Sequence, residues 1–140
     1  MNVPITKPLK VTDDVVNDSK NVVKQKTFIE SYQSASKQYQ DLYLTIKDYI
    51  LSLGDDVSEN QLKLYAAFKK IKNIACFEIF KKHILMHLSL DPDSVELQED
   101  FIIDMRNKGH WGTGNVRIFI RSIEDCEKIK HLVERAYNEG

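Results

Sequence analysis

Two cysteines, three prolines, five glycines and one tryptophan are all that this 140-residue chain holds of those residue types. Cys76 and Cys126 are too far apart in sequence and too few to form a disulfide framework or a zinc cluster. They read as reduced, buried thiols, and the expected compartment is the cytoplasm. The scarcity of glycine and proline excludes collagen-like and proline-rich architectures. No run approaches the roughly 20 apolar residues of a membrane span, and the polar, proline-bearing start lacks the apolar centre of a signal peptide. There is no excess charge of either sign, since the net value is −1. A nucleic-acid partner therefore has to be argued from where charges sit. What is present is ordinary for a folded domain: 42 % hydrophobic and 29 % charged residues, in a chain long enough to bury about two-thirds of its unfolded surface.

The chain divides near residue 27. Residues 1–26 carry Pro4 and Pro8 and no aromatic ring, and read as a flexible leader; 27–140 read as a single α+β domain. Thr27 and Glu30 have capping-box spacing. From there Phe28, Tyr32, Ala35, Tyr39, Leu42, Ile46, Tyr49 and Leu53 recur in steps of four and three, which predicts one helix over 28–53 with Gly54 as its stop. Such a helix would be about 40 Å long, so its first part, 28–40, would project or pair with another chain. Ser31, Ser34 and Ser36 also allow a break near Ser36. Alternation then predicts strands over 62–70, 74–80 and 83–90, the last with Ile84, Met86, Leu88 and Leu90 inward. Two further strands follow, 101–106 (Phe101, Ile103, Met105 inward) and 116–121 (Val116, Ile118, Ile120 inward). Ser122 caps a final helix whose buried stripe is Cys126, Ile129, Val133, Ala136 and Tyr137. The expected fold is an antiparallel sheet of about five strands, with a long N-terminal helix and a C-terminal helix packed on it.

Charge is segregated along this order. Residues 61–90 carry six lysines against Glu78 alone; 91–104 carry six acids and no cation; 105–121 carry Arg106, Lys108, Arg117 and Arg121 and no acid. On the outward parity of two strands, Lys63, Tyr65 and Lys69, and Arg117, Phe119 and Arg121, interleave cations with rings. Single-stranded nucleic acid needs that pattern, phosphates taking the cations and unstacked bases the π-faces. Were a helix or partner to cover this face, Tyr65 and Phe119 would be ordinary core residues.

Gly109-His110-Trp111-Gly112-Thr113-Gly114 gathers three of the five glycines and the tryptophan. Successive amides in such a loop can cradle an anion, though no Gly-Lys-Ser/Thr follows, so this is not a phosphate-binding P-loop. It serves equally as a tight connection pinned by Trp111. This motif, extended to Asp104–Gly114 and taken with Ile50–Val57, Lys72–Cys76, Leu88–Pro92 and Ile120–Ser122, resembles an uncharacterised bacterial and archaeal domain family. That family is usually found at the C-terminus of longer proteins and carries a "predicted transport protein" label. The resemblance runs from about Leu42 to Tyr137. It implies a family without an established mechanism and, in longer relatives, a preceding nuclease-like region for which residues 1–40 leave no room. The transport label fits poorly with a chain that has no membrane segment.

Asp104, Arg106 and His110 are the best enzymatic set, with an Asp–His pair as general base and Arg106 holding an anion. No nucleophile is marked by spacing, and an Asp104–Arg106 salt bridge explains the same residues, so no residue is assigned a catalytic role. His83 and His87 have the His-x-x-x-His spacing that binds zinc on a helix, but on a strand they stand about 13 Å apart. Neither metal nor cofactor is expected. The leading expectation is a non-enzymatic module that contacts nucleic acid or a protein partner through Lys63, Tyr65, Lys69, Arg106, His110, Trp111, Arg117, Phe119 and Arg121, with no membrane partner. The alternative is an interaction domain that forms a homodimer through helix 28–53.

Overall fold

The Thr27 hydroxyl accepts from the Glu30 amide at 3.1 Å, and the Glu30 carboxylate accepts from the Thr27 amide at 2.9 Å. This is the reciprocal cap that their spacing predicts. The structure is a computed structural model that describes residues 26–109 and 113–139; the expected leader, apart from Lys26, and His110 and Trp111 lie outside the described residues. Helix α1 spans Phe28–Ser34 and α2 spans Lys37–Leu51. The stripe read as one helix over 28–53 is thus two helices. Ala35 and Ser36 are extended, with ψ of 156° and 157°, and the Ser36 hydroxyl caps α2 by accepting from the Tyr39 amide at 3.4 Å. A serine side chain that competes for backbone hydrogen bonds ends one helix and starts the next. The bend folds α1 back, so Phe28 is seated in the core rather than projecting.

Six strands form one sheet: β1 (Ser58–Gln61), β2 (Ala66–Lys69), β3 (Asn73–Ile79), β4 (Ile84–Leu88), β5 (Ile102–Asp104) and β6 (Val116–Ile120). Their order is β1-β2-β3-β4-β6-β5 and every neighbouring pair is antiparallel. Helix α3 spans Ile123–Glu139, its first turn capped by the Ser122 hydroxyl accepting from the Asp125 amide at 3.2 Å. The expected α+β architecture holds, with two corrections. The strand expected over 62–70 is a turn followed by β2, the Leu62 amide donating to the Tyr65 carbonyl at 2.8 Å. In β5 the inward parity is shifted by one: Ile102 lies opposite Ile118 and is buried, whereas Ile103 lies opposite Arg117 on the other face. A one-residue slip exchanges every side chain between faces.

All three helices cover the same side of the sheet. Phe68, Phe77, Met86 and Ile118 from the strands share one apolar cluster with Phe28, Ile46 and Val133 from the helices. Tyr43 is its centre. Its ring meets Phe28 at 5.3 Å and Phe77 at 5.6 Å, both edge-on, the geometry aromatic quadrupoles favour. Its hydroxyl donates to Glu59 Oε2 at 2.7 Å, and Glu59 Oε1 lies 2.8 Å from Lys47 Nζ. Burial, together with the carboxylate, pushes the Tyr43 hydroxyl far above its ordinary pKa. Burial alone would also raise Glu59, but hydrogen bonds from Lys47, Tyr43 and Gln61 outweigh it and hold the carboxyl below its ordinary value.

Gly114 closes the sheet's other end. Its φ is +117°, and a methyl group there would lie 2.8 Å from the Leu88 carbonyl oxygen and 2.9 Å from its carbon. Neither backbone atom can yield without displacing β4. A methyl group on Gly109 would meet nothing within 4 Å. Gly114→Ala is therefore expected to cost about 1–3 kcal/mol, and Gly109→Ala to stay within about 0.5 kcal/mol, as read by chemical denaturation. In the same assay Glu59→Ala, which strips the buried Tyr43 hydroxyl of its acceptor, costs about 1–3 kcal/mol near neutral pH. Because the folded state holds Glu59 below its unfolded pKa, its ionised form stabilises the fold above the ordinary carboxylate range, and that contribution is lost as the pH falls through the lowered value. The stability gap between wild type and Glu59→Gln closes on acidification; a gap unchanged by acid would refute the assignment.

Candidate functional site

The three helices of the described residues lie on one side of the sheet, and none of them covers the other. The register places Ala67, Cys76, His87, Arg117 and Ile103 in one row across that face, and Glu78, Leu85 and Phe119 in the next. Lys69 shares the parity of Ala67, and Arg121 that of Phe119. Tyr65 precedes β2 on the same parity and lies close enough to Cys76 to feel its charge. Five of the nine expected site residues, Tyr65, Lys69, Arg117, Phe119 and Arg121, are therefore brought to one helix-free surface. Lys63 sits exposed in the turn at its border, where its carbonyl accepts from the Phe28 amide at 2.7 Å.

The cations on this face are engaged to different extents. Arg117 Nε donates to His87 Nε2 at 3.0 Å, and its two terminal nitrogens have no hydrogen-bond partner among the described residues. A guanidinium has donors only, so His87 Nε2 is the acceptor of this bond. His87 is 1 % exposed. Arg121 Nη1 donates to the Asp100 carbonyl at 3.0 Å, and its guanidinium lies 5.0 Å from the centre of the Phe119 ring. Glu78 is half-buried, and burial raises its carboxyl above the ordinary value despite nearby Arg117. It is the one strand acid with this parity among the described residues.

Arg106 belongs elsewhere. Its Nη2 donates to Asp104 Oδ2 at 2.7 Å and to Asp93 Oδ1 at 3.0 Å, and its Nη1 donates to Asp93 Oδ2 at 3.1 Å. This bidentate cradle raises the guanidinium pKa further, through Asp104 first and Asp93 second. The salt bridge anticipated between Asp104 and Arg106 is thus present, and its carboxylate is held below the ordinary range by that guanidinium. An Arg106 neutralised by the acidic segment is poorly placed to receive a phosphate, and an Asp104 committed to Arg106 is poorly placed to orient His110.

Sequence reasoning missed the second half of this surface. Thr113 reaches over Cys76: its hydroxyl accepts from Asn73 Nδ2 at 2.9 Å, and its amide and hydroxyl hydrogen-bond to the thiol, whose pKa burial nonetheless raises. His83 packs between two rings, 5.2 Å from Phe80 and 5.2 Å from Phe119. The clean alternation of residues 83–90 pointed to a strand with one buried face, yet all five residues of β4 are buried. A histidine inside an apolar run was the available signal. Among the described residues no group of three or more His, Cys, Asp or Glu side chains is placed to hold a metal ion, and no helix is long and apolar enough to cross a membrane.

Residues 29–140 match the model of a domain of unknown function, DUF5655. An uncharacterised protein of Haemophilus influenzae is 32 % identical over 131 residues, covering 91 % of this chain and 43 % of that protein. The chain therefore spans less than half the length of this relative. No solved structure matches the chain. These findings agree with the expectation of an uncharacterised domain family, and neither match speaks to transport. The chain belongs to the DUF5655 family of domains of unknown function.

Proposed function

We propose that this domain is a non-enzymatic binding module whose helix-free sheet face recognises single-stranded nucleic acid. The observation that carries the reading is the pair Arg117 and Phe119, both half-buried, on one face of β6, with Arg121 over the ring, on a face that no helix of the described residues covers. Lys63 and Lys69 add exposed cations at its borders, and Glu78 is disfavoured as an anion by burial. Phosphates would be met by Lys63, Lys69, Arg117 and Arg121, and bases by Phe119 and Tyr65. His110 and Trp111, in the loop that ends at Thr113 over Cys76, would line the edge. Self-association through residues 28–53 has less support. Leu42, Tyr43, Ile46 and Ile50 of that segment are buried in the domain's own core, leaving Ile29 and Leu44 exposed.

The test is fluorescence anisotropy of a labelled single-stranded oligonucleotide, with salt raised from about 50 to 200 mM. Binding should weaken steeply with salt. Lys69→Glu and Arg117→Glu should each weaken it about tenfold or more, whereas Arg106→Ala should leave it within about twofold, its charge being already neutralised. No binding at low salt, or binding indifferent to both charge reversals, would remove the reading.

A further inference from the structure

Phe80 is 44 % exposed, and neither it nor Phe119 belongs to the apolar cluster beneath the helices. Exposed apolar side chains scattered singly need no explanation. These two are not scattered. The Phe80 and His83 rings lie 5.2 Å apart at 35°, the His83 and Phe119 rings 5.2 Å apart at 72°, and the Arg121 guanidinium stands 5.0 Å from the Phe119 centre. Three rings and a cation thus run without a gap from the β3–β4 turn to the end of β6. Two exposed lysines, Lys81 and Lys82, follow Phe80 in that turn.

The local chain explains the arrangement. The Phe80 amide donates to the His83 carbonyl at 2.9 Å and closes the turn, which brings both residues to one edge of the face. Tyr39 fixes the turn from the helix side, its hydroxyl donating to the Lys82 carbonyl at 2.7 Å. Burial, followed by the charges of Arg121 and Arg117, holds His83 below its ordinary pKa, so at neutral pH it is an uncharged ring. Flat, uncharged π-surfaces bounded by Lys81 and Lys82 on one side and Arg121 on the other suit a planar ligand attached to an anion. A partner helix would call for an apolar groove instead.

We infer that Phe80, His83 and Phe119, flanked by Arg121, form a stacking subsite for an unpaired nucleobase. The inference rests on the proposed single-strand-binding face and adds Phe80 and His83, which no sequence motif marks, as its base-contacting residues. A base entering the site lies against the exposed Phe80 ring, while its phosphate meets Arg121 or the turn lysines.

The experiment uses the full chain and a single-stranded oligonucleotide carrying 2-aminopurine, whose emission is quenched on stacking, beside an otherwise identical oligonucleotide of abasic sites. The expected result is quenching by wild type and about tenfold weaker binding of the abasic strand. Phe80→Ala, which removes an exposed ring, should abolish most of the quenching and weaken binding of the base-bearing strand about tenfold, with little effect on the abasic one. Phe119→Leu keeps an apolar side chain of similar bulk and should act in the same direction. If wild type binds both strands equally and Phe80→Ala changes neither affinity nor quenching, the subsite is refuted while the electrostatic face stands. If wild type binds neither strand, both readings fall together.

Discussion

The pleat of the sheet sends successive residues of each strand to opposite sides, and three helices are attached to only one of them. The proposed site follows from that asymmetry. The helix side is satisfied internally: Tyr43 gathers Phe28, Phe68 and Phe77 around its ring and hands its hydroxyl to Glu59. No helix of the described residues covers the other side. It is filled by small or polar side chains in its central row, Ala67, Cys76 and His87, and by rings and cations towards one end. A bare sheet face normally presents alternating polar residues to water. This one buries a histidine and a thiol at 1 % exposure each and leaves its rings partly exposed.

Legibility of the fold in the sequence depended on how one-sided each element is. Helix α3 and strand β6 each have one apolar and one polar face, so period alone assigned their boundaries and inward residues. Strand β1, Ser-Glu-Asn-Gln, lies at the sheet edge with little burial, so there is no hydrophobic period to read. Strand β5 failed for the opposite reason. Phe101, Ile102 and Ile103 are all apolar, and either parity satisfies the pattern until the pairing of Ile102 with Ile118 decides it. The 28–53 stripe was continuous because α1 and α2 both face the same core, so the period survives the bend at Ser36 even though the helix does not.

The site was legible in outline for a related reason. Arg117, Phe119 and Arg121 stand on the polar parity of a strand whose other parity is plainly core, so their common face could be read directly. Their neighbours could not. His83 and His87 share a parity with Arg117 only through the β4–β6 register, and Phe80 arrives by a turn whose geometry no periodicity encodes. Charge counting met a similar limit. It placed Arg106 and Arg117 in one basic segment, whereas the fold gives Arg106 to Asp93 and Asp104 of the acidic segment and leaves Arg117 among rings.

The contrast between those two arginines is what gives the helix-free face its chemistry. Arg106 is bound through both ends of its guanidinium by carboxylates, and a further anion would have to displace them. Among the described residues Arg117 makes its hydrogen bond to a ring nitrogen, His87 Nε2, with the half-buried Glu78 carboxyl nearby. That contact directs the guanidinium without itself neutralising it. On the proposed reading, a guanidinium oriented by a ring nitrogen is more available to an anionic ligand than one clamped between two carboxylates, as Arg106 is.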